Sequence, residues 1–268
     1  MSTRTYRVGP LALELSLPDG ALENELDLAW GSFRGVPQGQ PVKLSVTLRD
    51  GAPAGLTRAM PRPVALPSGE SVLAGDGWQA RISADGLSVA LEQPSARQPL
   101  ETTVKILLAR ALSKSGGMLL HGAAVAHGGG AAVFAATDGS GKTTLAQMAA
   151  LGGLSVLADG LVAVFPISGE WWAYGTPWNV GAAWGAPLKT LGTLEWGPSP
   201  RVEKSAPGAV RAALEKCALL PDDEAATRAA LVAAADQALG KVLAVKLAFA
   251  PDARVAQELA ALCVAASP

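Results

Sequence analysis

The chain has 268 residues, 49% of them hydrophobic, which is enough for one large domain or two ordinary ones with buried cores. Its formal net charge at pH 7 is -1, which argues against a nucleic-acid surface and against a polybasic membrane patch. The two cysteines, Cys217 and Cys263, stand among apolar residues in segments with helical patterns, which indicates buried free thiols. No apolar signal segment follows the N-terminal arginines, so we expect a cytoplasmic protein that contacts neither nucleic acid nor membrane.

The first 97 residues predict a β-rich N-terminal domain. Four segments alternate apolar and other residues as half-buried strands do: residues 11–17, 42–48, 78–82 and 87–91. The last two flank an Asp-Gly pair, which is the signature of a hairpin. Prolines between Pro53 and Pro67 indicate a loop or a sheet edge. Residues 1–97 contain no catalytic constellation.

The pattern changes near residues 93–99, where we place the boundary to a second domain at 98–268. Thr102 or Thr103 can cap a helix that ends at the Gly116-Gly117 pair. The uncharged run 115–137 predicts two buried strands joined by a glycine hairpin rather than a membrane segment. A helix is predicted at residues 142–151.

The rest of the second domain also alternates between strands and helices. Residues 154–158 predict a buried strand that ends at Asp159, and a tight Asp159-Gly160 turn leads into an antiparallel strand at 161–165. Later elements are expected as helices at 207–219 and 222–239, a strand at 242–249 and a helix after residue 251. We therefore expect an α/β domain with a mixed sheet.

The stretch 131–145 is an apolar strand that runs into a glycine-rich turn and opens a helix. The phosphate-binding (Walker A) pattern G-x-x-x-x-G-K-[ST] is matched by Ala136-Thr-Asp-Gly-Ser-Gly-Lys-Thr143 except at its first glycine. Backbone N–H groups can converge on phosphate oxygens where no Cβ obstructs them, and the helix dipole adds positive charge there. The alternative is an ordinary glycine-rich turn with an exposed lysine.

This loop is expected to bind ATP and Mg²⁺. Lys142 would reach the β- and γ-phosphates, and the Thr143 hydroxyl would hold the metal. The residues expected to bind the nucleotide are consecutive: Thr137, Asp138, Gly139, Ser140, Gly141, Lys142, Thr143 and Thr144.

Two further polar residues are candidates for catalysis beside Lys142. Asp159 follows a strand after the phosphate-loop helix, where such folds place the carboxylate that serves the metal or the nucleophile. His121 lies in the strand before the phosphate-loop strand. The alternatives are a turn aspartate before glycine and a core histidine bonded to a backbone carbonyl.

Five of the seven tryptophans lie between residues 170 and 197: Trp171, Trp172, Trp178, Trp184 and Trp196. Core packing accounts for most members of such a cluster. Clustered aromatic side chains beside glycines and Pro177 can also line a groove for an extended peptide, so a protein or peptide substrate is expected near Trp171 and Trp184.

The order of these motifs resembles the catalytic domain of the HPr kinase family, whose superfamily also contains the ATP-dependent phosphoenolpyruvate carboxykinases. The resemblance covers residues 115–268 and rests on four stretches: Leu120-His-Gly-Ala-Ala-Val125, residues 134–145, Leu157-Ala-Asp159 and Tyr174-Gly-Thr-Pro-Trp178. It implies a P-loop carboxykinase-like fold and a serine/threonine kinase that transfers the γ-phosphoryl group of ATP to a protein or peptide. Asp159 matches the aspartate that deprotonates the acceptor hydroxyl in those kinases.

The chain departs from that family at two positions. The first loop glycine is Ala136, and the second aspartate of the family, a metal ligand, is Gly160. The Arg-Gly signature of HPr kinases is also not visible, which argues against HPr itself as the substrate. An aspartate at position 160 is expected to restore the second metal ligand and to tighten Mg²⁺.

Three functional hypotheses follow from these residues. The leading one is the kinase, and its rival is a catalytically degenerate nucleotide-sensing or peptide-binding protein on the same scaffold. Small-molecule phosphotransfer fits less well because arginines are sparse before Arg201 in the second domain. Homo-oligomerisation is compatible with the sequence.

Overall fold

The computed structural model describes residues 2–18, 20–36, 39–50 and 60–265. The chain divides into two compact units, of which the first comprises Met1–Ala111 with Pro221–Asp223. The second comprises Leu112–Leu220 and Glu224–Pro268. Each unit contains one mixed β-sheet, and the described residues form six α-helices, so the chain is α/β as expected.

The strands of the first unit are β1 (Ser2–Val8), β2 (Leu11–Leu17), β3 (Val42–Leu48), β4 (Val64–Ala65), β5 (Ser71–Gly75), β6 (Trp78–Ile82) and β7 (Ser88–Gln93). They form one sheet in the order β1-β2-β3-β7-β6-β5-β4. The β2–β3 and β3–β7 pairs are parallel and the others antiparallel. The expected strands β2 and β3 and the β6–β7 hairpin are confirmed. Of the proline-rich stretch, residues 60–67 include the edge strand β4, whereas residues 53–59 lie outside the described residues.

Helix α1 (Ala21–Trp30) corrects the expectation that residues 1–97 are β-structure throughout. Its buried side chains, Leu22, Leu26 and Trp30, recur every fourth residue and therefore lie on one helical stripe. A short 3-10 turn (Gly31–Phe33) follows it. The stretch Pro18-Asp-Gly20 lies between β2 and this helix. Its sequence suits a hairpin turn and a helix start equally well, so the sequence alone does not distinguish them.

Helix α2 (Arg97–Lys114) begins one turn before the expected caps. Thr103 does not cap it, because its Oγ1 donates a hydrogen bond to the Pro99 carbonyl 2.9 Å away, inside the helix. Pro99 is tolerated because it lies in the first turn, where its missing N–H has no helical partner to lose. The division between the compact units falls within α2, at Ala111, later than the boundary expected after residue 97.

The strands of the second unit are β8 (Met118–His127), β9 (Gly130–Ala135), β10 (Ser155–Ile167), β11 (Glu170–Tyr174), β12 (Asn179–Gly181), β13 (Gly185–Trp196), β14 (Arg201–Lys204) and β15 (Leu243–Phe249). Their order is β11-β10-β8-β9-β13-β15-β14, with β12 paired to β10. Because β11 also pairs with β13, the pairings of five strands close a ring. The expected mixed sheet is confirmed, since β13 runs parallel to β9 and β15 while the other pairs are antiparallel.

Strand β10 corrects the expected turn at Asp159-Gly160. The chain passes through both residues without reversing and continues to Ile167. Strand β8 supplies antiparallel partners on both sides of this pair, from Val156 to Val164 of β10. Backbone hydrogen bonding to one long neighbour therefore overrides the local turn signal. By contrast, the β8–β9 hairpin is as expected, and Gly128 and Gly129 in its turn have φ of 58° and 83°.

Helices cover both faces of the second sheet. They are α3 (Lys142–Leu151), α4 (Pro207–Cys217), α5 (Ala225–Leu239) and α6 (Arg254–Cys263). Helices α4 and α5 pack in one apolar cluster with one face of the sheet, and α3 and α6 pack in a second cluster with the other. The parallel strands β9, β13 and β15 end at the same edge, where the loop before α3 begins.

Two further observations concern the cysteines in the helices and the length of the helices. Cys217 in α4 and Cys263 in α6 are buried free thiols, as expected. Within the described ranges, no helix has the length and apolar character needed to cross a membrane.

Candidate functional site

The loop between β9 and α3 requires glycine at two positions. Gly139 and Gly141 have φ of 78° and 95°, a backbone conformation that side chains disfavour. A Cβ on Gly141 would also lie 2.7 Å from the ring of Phe249 and 2.9 Å from that of Trp196. The loop backbone can therefore run close to these two rings only because residue 141 has no side chain.

Alanine is compatible with the first position of the loop. The N–H of Ala136 donates to the His121 carbonyl at 3.1 Å, which extends the β8–β9 pairing by one residue. Its methyl group is buried in the apolar cluster that contains Phe134 and Leu145. Among the described residues other than glycine, positive φ occurs only at Ser168 and Asn179, so Ala136 needs no glycine conformation. The departure from the phosphate-loop pattern at this position has no steric cost.

Lys142, the first residue of α3, holds its ammonium group across the loop. Its Nζ donates to the Thr137 carbonyl at 2.7 Å and lies 3.6 Å from Oδ1 of Asp138. The Ser140 hydroxyl donates to the same Thr137 carbonyl at 2.7 Å. The lysine side chain is only 8% exposed, whereas that of Asp138 is 96% exposed. The alternative of an ordinary turn with an exposed lysine therefore does not describe Lys142, whose ammonium group is buried in the loop.

A bulge in β10 places Asp159 on the same face of the sheet as α3. Val156 pairs with Val125 and Ala158 pairs with Ala124, so Leu157 is an extra residue without a partner on β8. Without this bulge Leu157 would pair with Ala124, the register of the later residues would shift by one, and the Asp159 side chain would turn to the opposite face. Asp159 consequently pairs with Ala123, which packs with α3 and α6 rather than with α4 and α5.

One cavity of about 350 Å³ brings the expected site residues together. It is lined by His121, Asp138, Gly139, Gly141, Lys142, Thr143, Thr144, Asp159, Asn179 and Trp196. All three expected catalytic side chains and both expected metal ligands are in this set. Thr137 and Ser140 are not, and they contribute the hydrogen bonds that hold the loop. Asn179 and Trp196 are site residues that sequence reasoning missed.

Asn179 explains why position 160 is glycine. Gly160 pairs with Asn179 of β12 and has a φ of 133°. A Cβ at position 160 would lie 2.6 Å from Nδ2 of Asn179. An aspartate at 160 would therefore need a strained backbone and a shift of the Asn179 amide, and its effect on Mg²⁺ binding stays a prediction.

The oxygen donors in the cavity fit Mg²⁺ only as part of a nucleotide complex. Thr143 and Asp159 supply a hydroxyl and a carboxylate, the hard ligands that Mg²⁺ prefers. In the described part of the chain, no group of three or more His, Cys, Asp and Glu residues could hold a metal. Substrate phosphates and water would have to supply the remaining ligands.

His121 is held neutral at the edge of the cavity. Burial lowers its pKa below the usual 6.5, and the nearby Lys142 ammonium lowers it further. The carboxylates of Asp138 and Asp159 oppose this shift, as does a backbone hydrogen bond to Ala136. The imidazole Nε2 lies 3.5 Å from Oδ1 of Asp138, so His121 faces the loop and is not a histidine enclosed in the core.

We predict that NMR titration gives His121 a pKa below the usual 6.5. Lys142→Met should raise this pKa because it removes a positive charge, and Asp138→Asn should lower it because it removes a negative one. As the pH falls through 6.5, this histidine binds a proton in the unfolded chain before it does so in the folded chain. Acidification therefore lowers the free energy of unfolding through His121. A pKa of 6.5 or above would contradict this description of the site.

The tryptophan-rich segment divides between the core and the surface. Trp171 and Trp178 are buried, and the Trp172 ring packs against Tyr174 with centroids 6.2 Å apart. Of the two tryptophans expected to mark a peptide groove, Trp171 is therefore closed to a ligand, and Trp184 is 45% exposed. Binding of a peptide in this region remains a prediction that would depend mainly on Trp184.

The sequence was compared with protein-family models and with curated proteins, and neither comparison gave a match.

Proposed function

We propose that this chain is an ATP-dependent, HPr kinase-like phosphotransferase that moves the γ-phosphoryl group to a serine or threonine hydroxyl of a protein or peptide other than HPr. The observation that carries the proposal is the single cavity shared by Lys142, Thr143 and Asp159. A phosphate cradle, a metal-ligand hydroxyl and a carboxylate base are the parts that phosphoryl transfer to an alcohol requires. The resemblance of the motif order to the HPr kinase family supports the same proposal.

The cavity residues share the work of the proposed reaction, and Asp159 has two roles in it. The loop N–H groups and the Lys142 ammonium bind the β- and γ-phosphate oxygens, where negative charge accumulates. Mg²⁺, when bound with the nucleotide, neutralises the phosphates, and Thr143 and Asp159 would hold it. The Asp159 carboxylate takes the proton of the acceptor hydroxyl as that oxygen bonds to phosphorus and the β–γ bridging oxygen leaves. Neutral His121 can hydrogen-bond to the transferring group without binding the released proton.

The alternative is a nucleotide sensor that does not catalyse transfer. One observation favours it: the residue after Asp159 is Gly160 and not a second aspartate, and the Asn179 amide lies next to that glycine. Exposed Asp138 also brings a negative charge close to Lys142, which reduces the attraction of the site for phosphate. Both hypotheses require nucleotide binding, and only the kinase requires turnover.

We expect Mg²⁺-ATP to raise the melting temperature of the full chain, because a ligand that binds only the folded state stabilises it by about 2.7 kcal/mol at 100 times its Kd. Lys142→Met should remove most of this shift. Lys204→Met, at an exposed lysine on β14 outside the cavity, is the matched control and should retain it.

The same preparations should then be given γ-labelled ATP and a serine/threonine peptide library. Labelled peptide supports the kinase, and a thermal shift without transfer to any peptide supports the sensor. No shift with any nucleotide would contradict both.

A further inference from the structure

The rings of Trp196 and Phe249 form a stack beside the phosphate loop. Residues 196 and 249 end the parallel strands β13 and β15 and are direct partners in their pairing. Their ring centroids lie 4.9 Å apart with an angle of 20° between the planes. Phe249 is fully buried and supports the stack, whereas Trp196 is 50% exposed. Phe249 therefore supports one side of the indole, and the exposed part of Trp196 is available to a ligand.

The contacts of Trp196 place it at the nucleotide cavity. Its Nε1 donates to the Gly139 carbonyl at 3.2 Å. Its ring is so close to the loop that a Cβ on Gly141 would lie 2.9 Å from it. It also lines the cavity together with Lys142 and Thr144. The open part of the indole is therefore adjacent to the backbone expected to bind phosphates.

We infer that Trp196 is the platform on which the nucleobase of the bound nucleotide stacks, an inference that rests on the proposed function and deepens it. An aromatic ring stacks with every base, because each base has a π face, and such contacts tolerate differences in base identity. Among the described residues that line the cavity, Trp196 is the only tryptophan, tyrosine or phenylalanine. The ligand class is accordingly a nucleoside triphosphate, with weak discrimination between purines.

The test compares ATP with inorganic tripolyphosphate, which has the same phosphate chain but no base, by calorimetry on the full chain with Mg²⁺. Trp196→Ala should weaken ATP about 10- to 100-fold, the usual range for loss of one base stack, and change tripolyphosphate by less than about threefold. Trp196→Phe keeps an aromatic face but loses the indole N–H, so ATP affinity should stay within about fivefold of the parent. Trp184→Ala, at an exposed tryptophan outside the cavity, is the control and should change neither ligand.

Two outcomes would overturn the inference while leaving the proposed function intact. If Trp196→Ala weakens both ligands equally, the indole only supports the loop through its Gly139 contact. If it weakens neither, the base binds elsewhere. A parent protein that binds neither ATP nor tripolyphosphate overturns the proposed function, and the stacking inference with it.

Discussion

Asp159→Asn is expected to abolish nearly all phosphoryl transfer while the chain still folds and binds ATP. Asparagine has almost the same shape but cannot accept the proton of the acceptor hydroxyl, and general-base help contributes typically about 10²- to 10⁴-fold. The side chain is buried at 5% exposure, so an isosteric amide is the least disruptive change that removes the base. Turnover should be measured with γ-labelled ATP, and ATP affinity by calorimetry.

Asp138→Asn is the matched control because it changes another aspartate of the same cavity. Its side chain is 96% exposed, so it should lose little turnover, and ATP should bind slightly more tightly without its negative charge. If Asp159→Asn turns over as fast as the parent, Asp159 is not the base. If Asp159→Asn loses ATP affinity in the same proportion as turnover, the main role of Asp159 is to hold the complex of Mg²⁺ with the nucleotide.

Gly160→Asp is expected to destabilise the chain by about 2–5 kcal/mol, from the strain of a side chain at positive φ and from burial of polar atoms. The new Cβ would lie 2.6 Å from the Asn179 amide, in a strand that is paired on both sides. Urea denaturation should therefore show a lower midpoint for this variant. A midpoint equal to that of the parent would mean that Asn179 moves away at no cost.

Two further variants separate the causes of that destabilisation. Gly153→Asp also places a side chain at positive φ, 82°, but in open space, so it gives the cost of such a backbone without a collision and sets a lower bound for Gly160. Asn179→Ala combined with Gly160→Asp removes the collision, and the double-mutant cycle gives the interaction between the two positions. Tighter Mg²⁺-dependent ATP binding in Gly160→Asp would support the expectation that residue 160 faces the metal.

Local chemistry made much of the second unit predictable. The β8–β9 hairpin depends on glycines that only a tight turn requires, and α3 was delimited correctly at both ends by the loop before it and the glycine pair after it. The assembly of Lys142, Thr143 and Asp159 in one cavity agrees with the expected site residues. For the hairpin and for α3, neighbouring residues carry most of the signal.

Sequence-based prediction was wrong where contacts between distant segments of the chain determine the conformation. Asp159-Gly160 has the composition of a turn, yet it lies in the middle of a strand because β8 pairs with both of its sides. Asn179 and Trp196 reach the cavity through the pairing of β12 with β10 and of β13 with β15. Neither pairing leaves a mark near those residues in the sequence, so no local pattern identifies them as part of the site.

The bulge at Leu157 makes the pairing register of β10, and not only its residues, part of the chemistry. If Leu157 paired with Ala124 in a regular ladder, Asp159 would pair with Gly122, and its carboxylate would project into the apolar layer beneath α4 and α5, on the far side of the sheet from the loop. A homologous chain that lacked Leu157 would instead keep the pairs of Val156 with Val125 and of Asp159 with Ala123 in a regular strand, so its aspartate would still face the loop. Alignments of related chains should therefore not treat a one-residue gap at Leu157 as a loss of this carboxylate.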